Sequence, residues 1–426
     1  MPTARSASNR AGSHRARPAP GGDRSRAAIA IATLAYLAFV AYQSLAGDGF
    51  GACMAPLVQQ GAHLSGTDGL ANVVAYLPLG LLAAAWADSR RPRAAPALLL
   101  GLVSISAFSL AMELVQACLP GRVSSWYDWS TNTLGALLGL LAMPAARRTA
   151  RIAHRNPALA RMLDAPLLWP AALCIGTWLA MTTAPWRFTF DPGTIRGNLA
   201  FVVHASQSLA PDAWRLARHL FGWLAVGGAV RAMLPDRRVA AGVLVLLIGA
   251  SALAQPLLVW HALSPEELVA MVLAAIAFAA ASPRLADAAL ARATWVAALA
   301  SVMAYELAPG AGEGFASGFS WWPQLGRGGL LGALELALLY CWLAFTLVLS
   351  LRWSARQGQD ISRRRVILPL AVVVALLAME GAQRWIPGRS PDTSAPLITG
   401  LAFAVAWALG ASVKDRARST SRRRVA

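Results

Sequence analysis

Twelve apolar runs, each near the length that crosses a bilayer, divide this chain from end to end and leave few folds open to it. They begin near Ala27, Leu70, Ala94, Thr131, Leu167, Trp214, Val239, Glu267, Ala293, Gly328, Val366 and Pro396. A hydrocarbon core about 30 Å thick takes about 20 such residues as a helix, whose backbone polar groups are satisfied internally. The run from Thr131 is short, ending near Pro144, and is the weakest span. Only 14% of the 426 residues are charged and mean hydropathy is +0.51, where a soluble domain carries about 25% charged residues. The expected fold class is therefore all-α: a polytopic transmembrane bundle of about 12 helices.

Arginine sets the expected orientation. The net charge of +18 sits in the tails and in short stretches between runs: Ser89–Arg93, Arg147–Arg155, Arg237-Arg238 and Arg352–Arg365. The alternate segments 48–67, 118–129, 184–211, 261–265, 309–327 and 387–395 are poorer in arginine. The positive-inside rule then puts both termini in the cytoplasm and the poorer segments outside. Segment 184–211, with Arg187, Arg196 and His204, fits this scheme least well. Trp126, Trp129, Trp321, Trp322 and Trp385 fall near the expected outer boundaries, as interfacial anchors do. No basic stripe with interleaved aromatics occurs, so no nucleic-acid partner is expected.

Residues 1–26 and 414–426 read as disordered basic cytoplasmic tails, too polar to bury a core. Of the four cysteines, Cys174 and Cys341 stand within apolar runs, whereas Cys53 and Cys118 fall on the expected outer side. A disulfide can persist there, but isolated small apolar residues are the simpler reading of all four. No metal-ligand spacing, nucleophile elbow or phosphate-binding glycine loop is present, and neither cofactor nor metal is expected.

An internal repeat organises the runs. Glu113-Leu-Val-Gln116-Ala-Cys-Leu-Pro120-Gly121-Arg122 recurs as Glu380-Gly-Ala-Gln383-Arg-Trp-Ile-Pro387-Gly388-Arg389, five identities at one spacing without a gap. A weaker copy lies between: Gln255 stands where Gln116 does, His261 where Arg122 does and Glu267 where Asp128 does, with Ala252 in place of Glu113. The chain reads as three four-helix units, 27–146, 164–283 and 292–413, the last two degenerate.

The first unit holds the fullest polar set. Glu113 and Gln116 share a helix face, Pro120 and Gly121 stop that helix, and Arg122 follows in the turn. Asp128 precedes the next run with Asn132 one turn inside it. Asp68 and Asn72 repeat that spacing before Pro78 and Gly80. Ionisable groups within a span cost about 2.5–3.5 kcal/mol and need partners; Arg122 is the natural counter-charge for Glu113 or Asp128. Gly135 and Gly139 form a small-residue ridge for close helix approach. The cluster Asp68, Asn72, Glu113, Gln116, Arg122, Asp128 and Asn132 either ties a hinge together or forms a pocket for a ligand. Gln255, His261, Glu267, Glu380, Gln383 and Arg389 are its degenerate counterparts.

In its order of motifs, from Asp68…Asn72…Pro78-x-Gly80 through Glu113-x-x-Gln116…Pro120-Gly121-Arg122…Asp128…Asn132-Thr-x-Gly135-x-x-x-Gly139, residues 30–145 resemble the VanZ-like membrane protein family. The later units depart from it, with Ala395 and Thr399 where Asp128 and Asn132 stand in the first. The resemblance implies a bacterial four-helix unit, named for a protein associated with glycopeptide resistance and without an established activity, and it places any active site in the first unit. It suggests an inner-membrane role in cell-envelope or exopolysaccharide biogenesis, with membrane lipid and a lipid-linked glycan or other envelope precursor as partners. Transport and envelope-precursor enzymology, with Glu113 or Asp128 as general base, are the alternatives; catalytic residues are not assigned.

Overall fold

The computed structural model describes residues 21–45, 50–53, 66–88, 94–120, 122–156, 160, 163, 165–184, 186, 188–208, 211–259, 263–310, 312, 314–316, 318–324 and 330–408. Most of the two expected tails, 1–20 and 409–426, lies outside these, as do Gly121, Arg187 and His261 and the side chains of Asp68 and His204. The described chain is all helical, apart from turns and one isolated bridge between Phe188 and Leu258.

Every apolar run forms a helix. The stretch read from the sequence as the first unit contributes α1 (Gly21–Leu45), α2 (Gly66–Asp88), α3 (Ala94–Gln116) and α4 (Trp126–Ala153). The second contributes α5 (Leu168–Thr182), α6 (Pro192–Ser208), α7 (Ala213–Met233), α8 (Arg237–Ala254) and α9 (Pro265–Ala281), of which α6 lies in a connecting segment and is additional to the four expected. The third contributes α10 (Asp287–Glu306), α11 (Leu330–Arg356), α12 (Arg364–Ala382) and α13 (Ser394–Ala408). Among the described residues, α1, α2, α3, α8, α10, α11 and α12 are long and apolar enough to cross a membrane, seven in all; α5 and α13 are shorter apolar helices.

Three details depart from the sequence reading. Helix α1 starts at Gly21, within the expected basic tail. Segment 184–211, read as a connection, contains α6, held by Asn198, whose amide donates to Pro256 O and Leu258 O at 3.0 and 2.9 Å. Helix α4 does not stop at Pro144 but runs on to Ala153. A proline removes one helical donor, and beyond it Arg147 pairs with Asp88 at the end of α2, which secures the added turns.

Packing follows from small residues. Lipid supplies no hydrophobic drive between helices, so close backbone contact must do so. Within the first unit α2 and α4 touch most extensively. A Cβ at Gly80, Gly135 or Gly139 would lie 2.0, 2.3 or 2.1 Å from a backbone oxygen of the facing helix. The core of this unit, around Val40, Tyr76, Leu79 and Ala136, also takes in Leu334 of α11.

The second and third stretches share one core, in which each first helix packs on the second helices of both, α5 on α7 and α10 on α11 as well as across. Helix α5 packs on α11, and α10 packs on α7. Trp178 of α5 is buried against Trp342 of α11, ring centroids 4.8 Å apart, and against Trp223 of α7 at 6.1 Å. Gly222 leaves room for the Trp178 ring, and Gly228 for Thr294 of α10. Ser301 Oγ of α10 donates to Arg218 O of α7 at 2.7 Å across this junction, and Ser350 Oγ of α11 to Ala291 O of α10 at 2.6 Å within the third stretch.

Candidate functional site

Polar side chains collect where the third helix of a unit ends, the fourth begins and the first ends. In the first unit Glu113, 3% exposed, accepts the Ser125 N–H at 2.9 Å across the turn between α3 and α4. Ser125 in turn caps α4 through its hydroxyl. Gln116 Nε2 donates to Ser44 O at 2.9 Å and Arg122 Nη2 to Gln43 O at 3.2 Å, binding the turn to the end of α1. Asn72 Nδ2 donates to Asp128 Oδ1 at 2.8 Å, joining α2 to α4, and Asn132 Nδ2 donates to Ser109 Oγ at 3.0 Å, joining α3 to α4. Each residue of the sequence cluster thus ties one helix or turn of this stretch to another, apart from Asp68, whose side chain lies outside the described residues.

Cys53 and Cys118 are joined by a disulfide, which corrects the reading of them as isolated apolar residues. Gly51 N–H also donates to Cys118 O at 2.9 Å, so the two segments meet through backbone as well. Spacing alone could not reveal this, because the partners are 65 residues apart.

The third unit places the same residue types in the same relations. Glu380, 4% exposed, accepts the Asp392 N–H at 3.1 Å, twelve residues on, as Glu113 accepts that of Ser125. Gln383 Nε2 reaches the end of α10, donating to Glu306 Oε2 at 2.5 Å. Arg389 Nε donates to Ala308 O at 2.7 Å, and its Nη2 to Tyr305 O. Gly388 has φ +71°, a left-handed turn that favours glycine, and it meets the backbone of Gly310 and Gly312.

In the second unit Gln255, fully buried, donates through Nε2 to Thr182 O at the end of α5, at 3.4 Å. All three glutamines therefore tie a third helix to the end of a first helix. Glu267 Oε1 lies 3.0 Å from His219 Nε2 of α7, joining those helices as Asn72 and Asp128 join α2 and α4. His261 lies outside the described residues.

Several polar residues here escaped the sequence reading: Arg218, His219, Tyr305, Glu306, Tyr340 and Asp392. Glu306 is 2% exposed and accepts from Tyr340 Oη at 2.6 Å as well as from Gln383. Asp392 accepts the N–H groups of Gln324 and Ser394 at 2.8 and 2.5 Å. The available signal was position. His219 stands one turn inside its helix as Asn72 does, and Asp392 follows Glu380 as Ser125 follows Glu113. All of these residues except His219 line a cavity of about 440 Å³ beside the end of α10.

Fold and site together define an all-helical membrane protein whose polar groups are gathered at helix ends. Residues 27–147 match the VanZ/LLP1 family model, so the first unit is a VanZ-like domain. No curated protein and no solved structure matches the chain.

Proposed function

We propose that this is a multi-pass inner-membrane protein of three four-helix units, both termini cytoplasmic, that binds an anionic or lipid-linked glycan at its periplasmic face in cell-envelope or exopolysaccharide biogenesis. The observation that carries this reading is the recurrence of one lock. A glutamine from the third helix reaches the end of a first helix in all three places, and a buried glutamate holds the following turn in two. A duplicated unit is the simplest source of such agreement. The segments so locked are the arginine-poor ones, and the Cys53–Cys118 disulfide fits an oxidising compartment on that side. Carboxylates, amides and guanidinium groups offer the mixed acceptors and donors that a hydroxyl-rich anionic ligand needs. Transport is less well supported, because transporters commonly hold their polar groups and broken helices at the midplane.

The test expresses Glu113→Gln, Arg122→Ala and Glu380→Gln separately in cells lacking the native protein. Membrane abundance is scored beside polysaccharide output and antibiotic susceptibility. A lost phenotype at normal abundance in any of the three supports a working outer-face site; equal loss of abundance in all three makes the clusters purely structural and overturns the reading.

A further inference from the structure

We infer that the cavity at the junction of the second and third units binds a sugar bearing one anionic group, the anion on Arg218 and the hydroxyls on the Glu306–Glu380 side. This rests on the glycan reading above but moves the site out of the first unit.

The cavity, about 440 Å³, is lined by Arg218, Tyr305, Glu306, Glu380, Gln383 and Arg389 among others. Its size falls in the range of about 300–1,000 Å³ typical of small-molecule sites. It owes its composition to the packing of α10 on α7 as well as on α11, which brings Tyr305 under Arg218, whose guanidinium carbon sits 4.7 Å from the ring centroid. The Arg389 guanidinium lies over the same ring at 5.1 Å.

The two arginines are not equivalent. Arg389 is held by the carbonyls of Ala308 and Tyr305 and serves to brace the end of α10. Arg218 has a buried Nε with no hydrogen-bond partner, and no carboxylate lies within ion-pair distance of it among the described residues. A guanidinium whose Nε is buried without a partner is costly unless something bonds to it, and Glu267 and Glu335 act on it only from beyond ion-pair distance. The tyrosine face supplies part of the compensation; an anion entering the cavity would supply the rest, through two parallel hydrogen bonds.

The carboxylates are already engaged. Glu306 takes the Tyr340 hydroxyl and the Gln383 amide, and Glu380 takes the Asp392 N–H. Held in this way they are fixed acceptors whose remaining lone pairs can receive ligand hydroxyls, whereas a second anion beside them would be repelled. One anionic group with hydroxyls around it satisfies both ends of the cavity. Inorganic phosphate satisfies one end, and a neutral sugar the other.

The test uses the full chain in lipid nanodiscs. Probes are the 1-phosphates of glucose, mannose and N-acetylglucosamine, the same sugars without phosphate, inorganic phosphate, and a polyprenyl-linked sugar phosphate. At least one sugar phosphate, free or lipid-linked, is expected to bind at least tenfold more tightly than its neutral sugar or phosphate alone; binding of the lipid-linked form only would assign the source to a lipid carrier. Arg218→Met should remove that tenfold advantage and leave the neutral sugar's affinity unchanged, a separation that general misfolding would not produce. Should that variant fail to fold, Glu335→Cys at the cavity lining provides the second readout, because bound sugar phosphate should slow its maleimide labelling. Unslowed labelling with a bound probe would overturn the inference. If Arg122→Ala abolishes binding and Arg218→Met does not, this inference falls while the envelope-glycan reading stands, with its site in the first unit. If no sugar phosphate binds the parent protein in either form, both fall.

Discussion

Replacing Gly139 by alanine adds a single methyl group, and the geometry says that it has nowhere to go. The new Cβ would stand 2.1 Å from Leu77 O and 2.8 Å from Leu81 N on α2, where ordinary contact begins at 3.4 Å, so the helices must part locally by about 1.3 Å. Neither obstacle is the far end of a flexible side chain; both are backbone atoms of a packed helix. Overpacking of this kind costs about 1–3 kcal/mol, and the higher helix propensity of alanine returns up to about 1 kcal/mol. Parting α2 from α4 also strains the close approaches at Gly80 and Gly135 and the Asn72–Asp128 hydrogen bond. The expected net loss for Gly139→Ala is about 1–2 kcal/mol, on the order of a tenfold fall in the folded-to-unfolded ratio. Gly249→Ala in α8, where an added Cβ meets nothing within 4 Å, should be neutral or slightly stabilising. Thermal unfolding in detergent, followed by loss of the monodisperse chromatographic peak, compares the two. If Gly139→Ala melts together with Gly249→Ala, the close α2–α4 contact is refuted.

Three other outcomes follow from single contacts. Removing the disulfide with Cys53→Ser/Cys118→Ser should destabilise the first unit by up to about 4 kcal/mol for a closed loop of this length; reductant should lower the melting temperature of the parent but not of the variant, and an equal drop in both would count against the bond. Glu380→Ala strips the acceptor from the Asp392 N–H, at a cost of about 1–3 kcal/mol, so amide exchange at Asp392 should quicken. Glu380→Gln retains an oxygen and should hold that protection; equal exchange in the two variants contradicts the assignment. On the arginine-rich side, Asp236 caps α8, and the backbone N–H groups of Val239 and Arg238 hold its carboxyl below the usual range. Its contribution is present above the ordinary carboxylate pKa and disappears as pH falls through the depressed one, so exchange protection at Arg238 and Val239 should fade on acidification, and Asp236→Asn should flatten that dependence.

The helices were legible because lipid imposes a single local rule, a long apolar run closed by polar residues; each of the twelve runs coincides with a helix, and among the described residues seven are long and apolar enough to cross a membrane. The polar set of the first unit was legible for a similar reason: Glu113, Gln116, Asp128 and Asn132 stand out against apolar neighbours and are joined over short distances in sequence. Helix α6 was hidden because its residues are neither apolar throughout nor periodic, and its anchor, Asn198 on Pro256 O and Leu258 O, is a long-range contact. The disulfide and the Arg218–Tyr305 contact were hidden for the same cause, since both join residues from distant segments. Glu306 was overlooked because it is the last residue of its helix, where a carboxylate looks like an ordinary polar terminus.

Those hidden contacts explain why a polar cavity forms away from the fullest motif. In the first unit α1 remains beside its own α2, with Tyr36 Oη donating to Ala75 O at 2.9 Å. Gln116 and Arg122 close on main-chain carbonyls, and Glu113 on a main-chain N–H, so side chains and backbone occupy one another. At the junction of the later stretches each first helix also touches the second helix of the other. The glutamine that would meet a carbonyl meets the Glu306 carboxylate instead, and a guanidinium from the neighbouring unit arrives above Tyr305. An unpaired cation and a braced pair of carboxylates therefore face a common space. On the three-unit reading, loss of the family's Asp128 and Asn132 counterparts at Ala395 and Thr399 does not by itself make the last unit inert. The contact of α10 with α7 supplies other polar groups there, among them the Arg218 Nε, which has no hydrogen-bond partner.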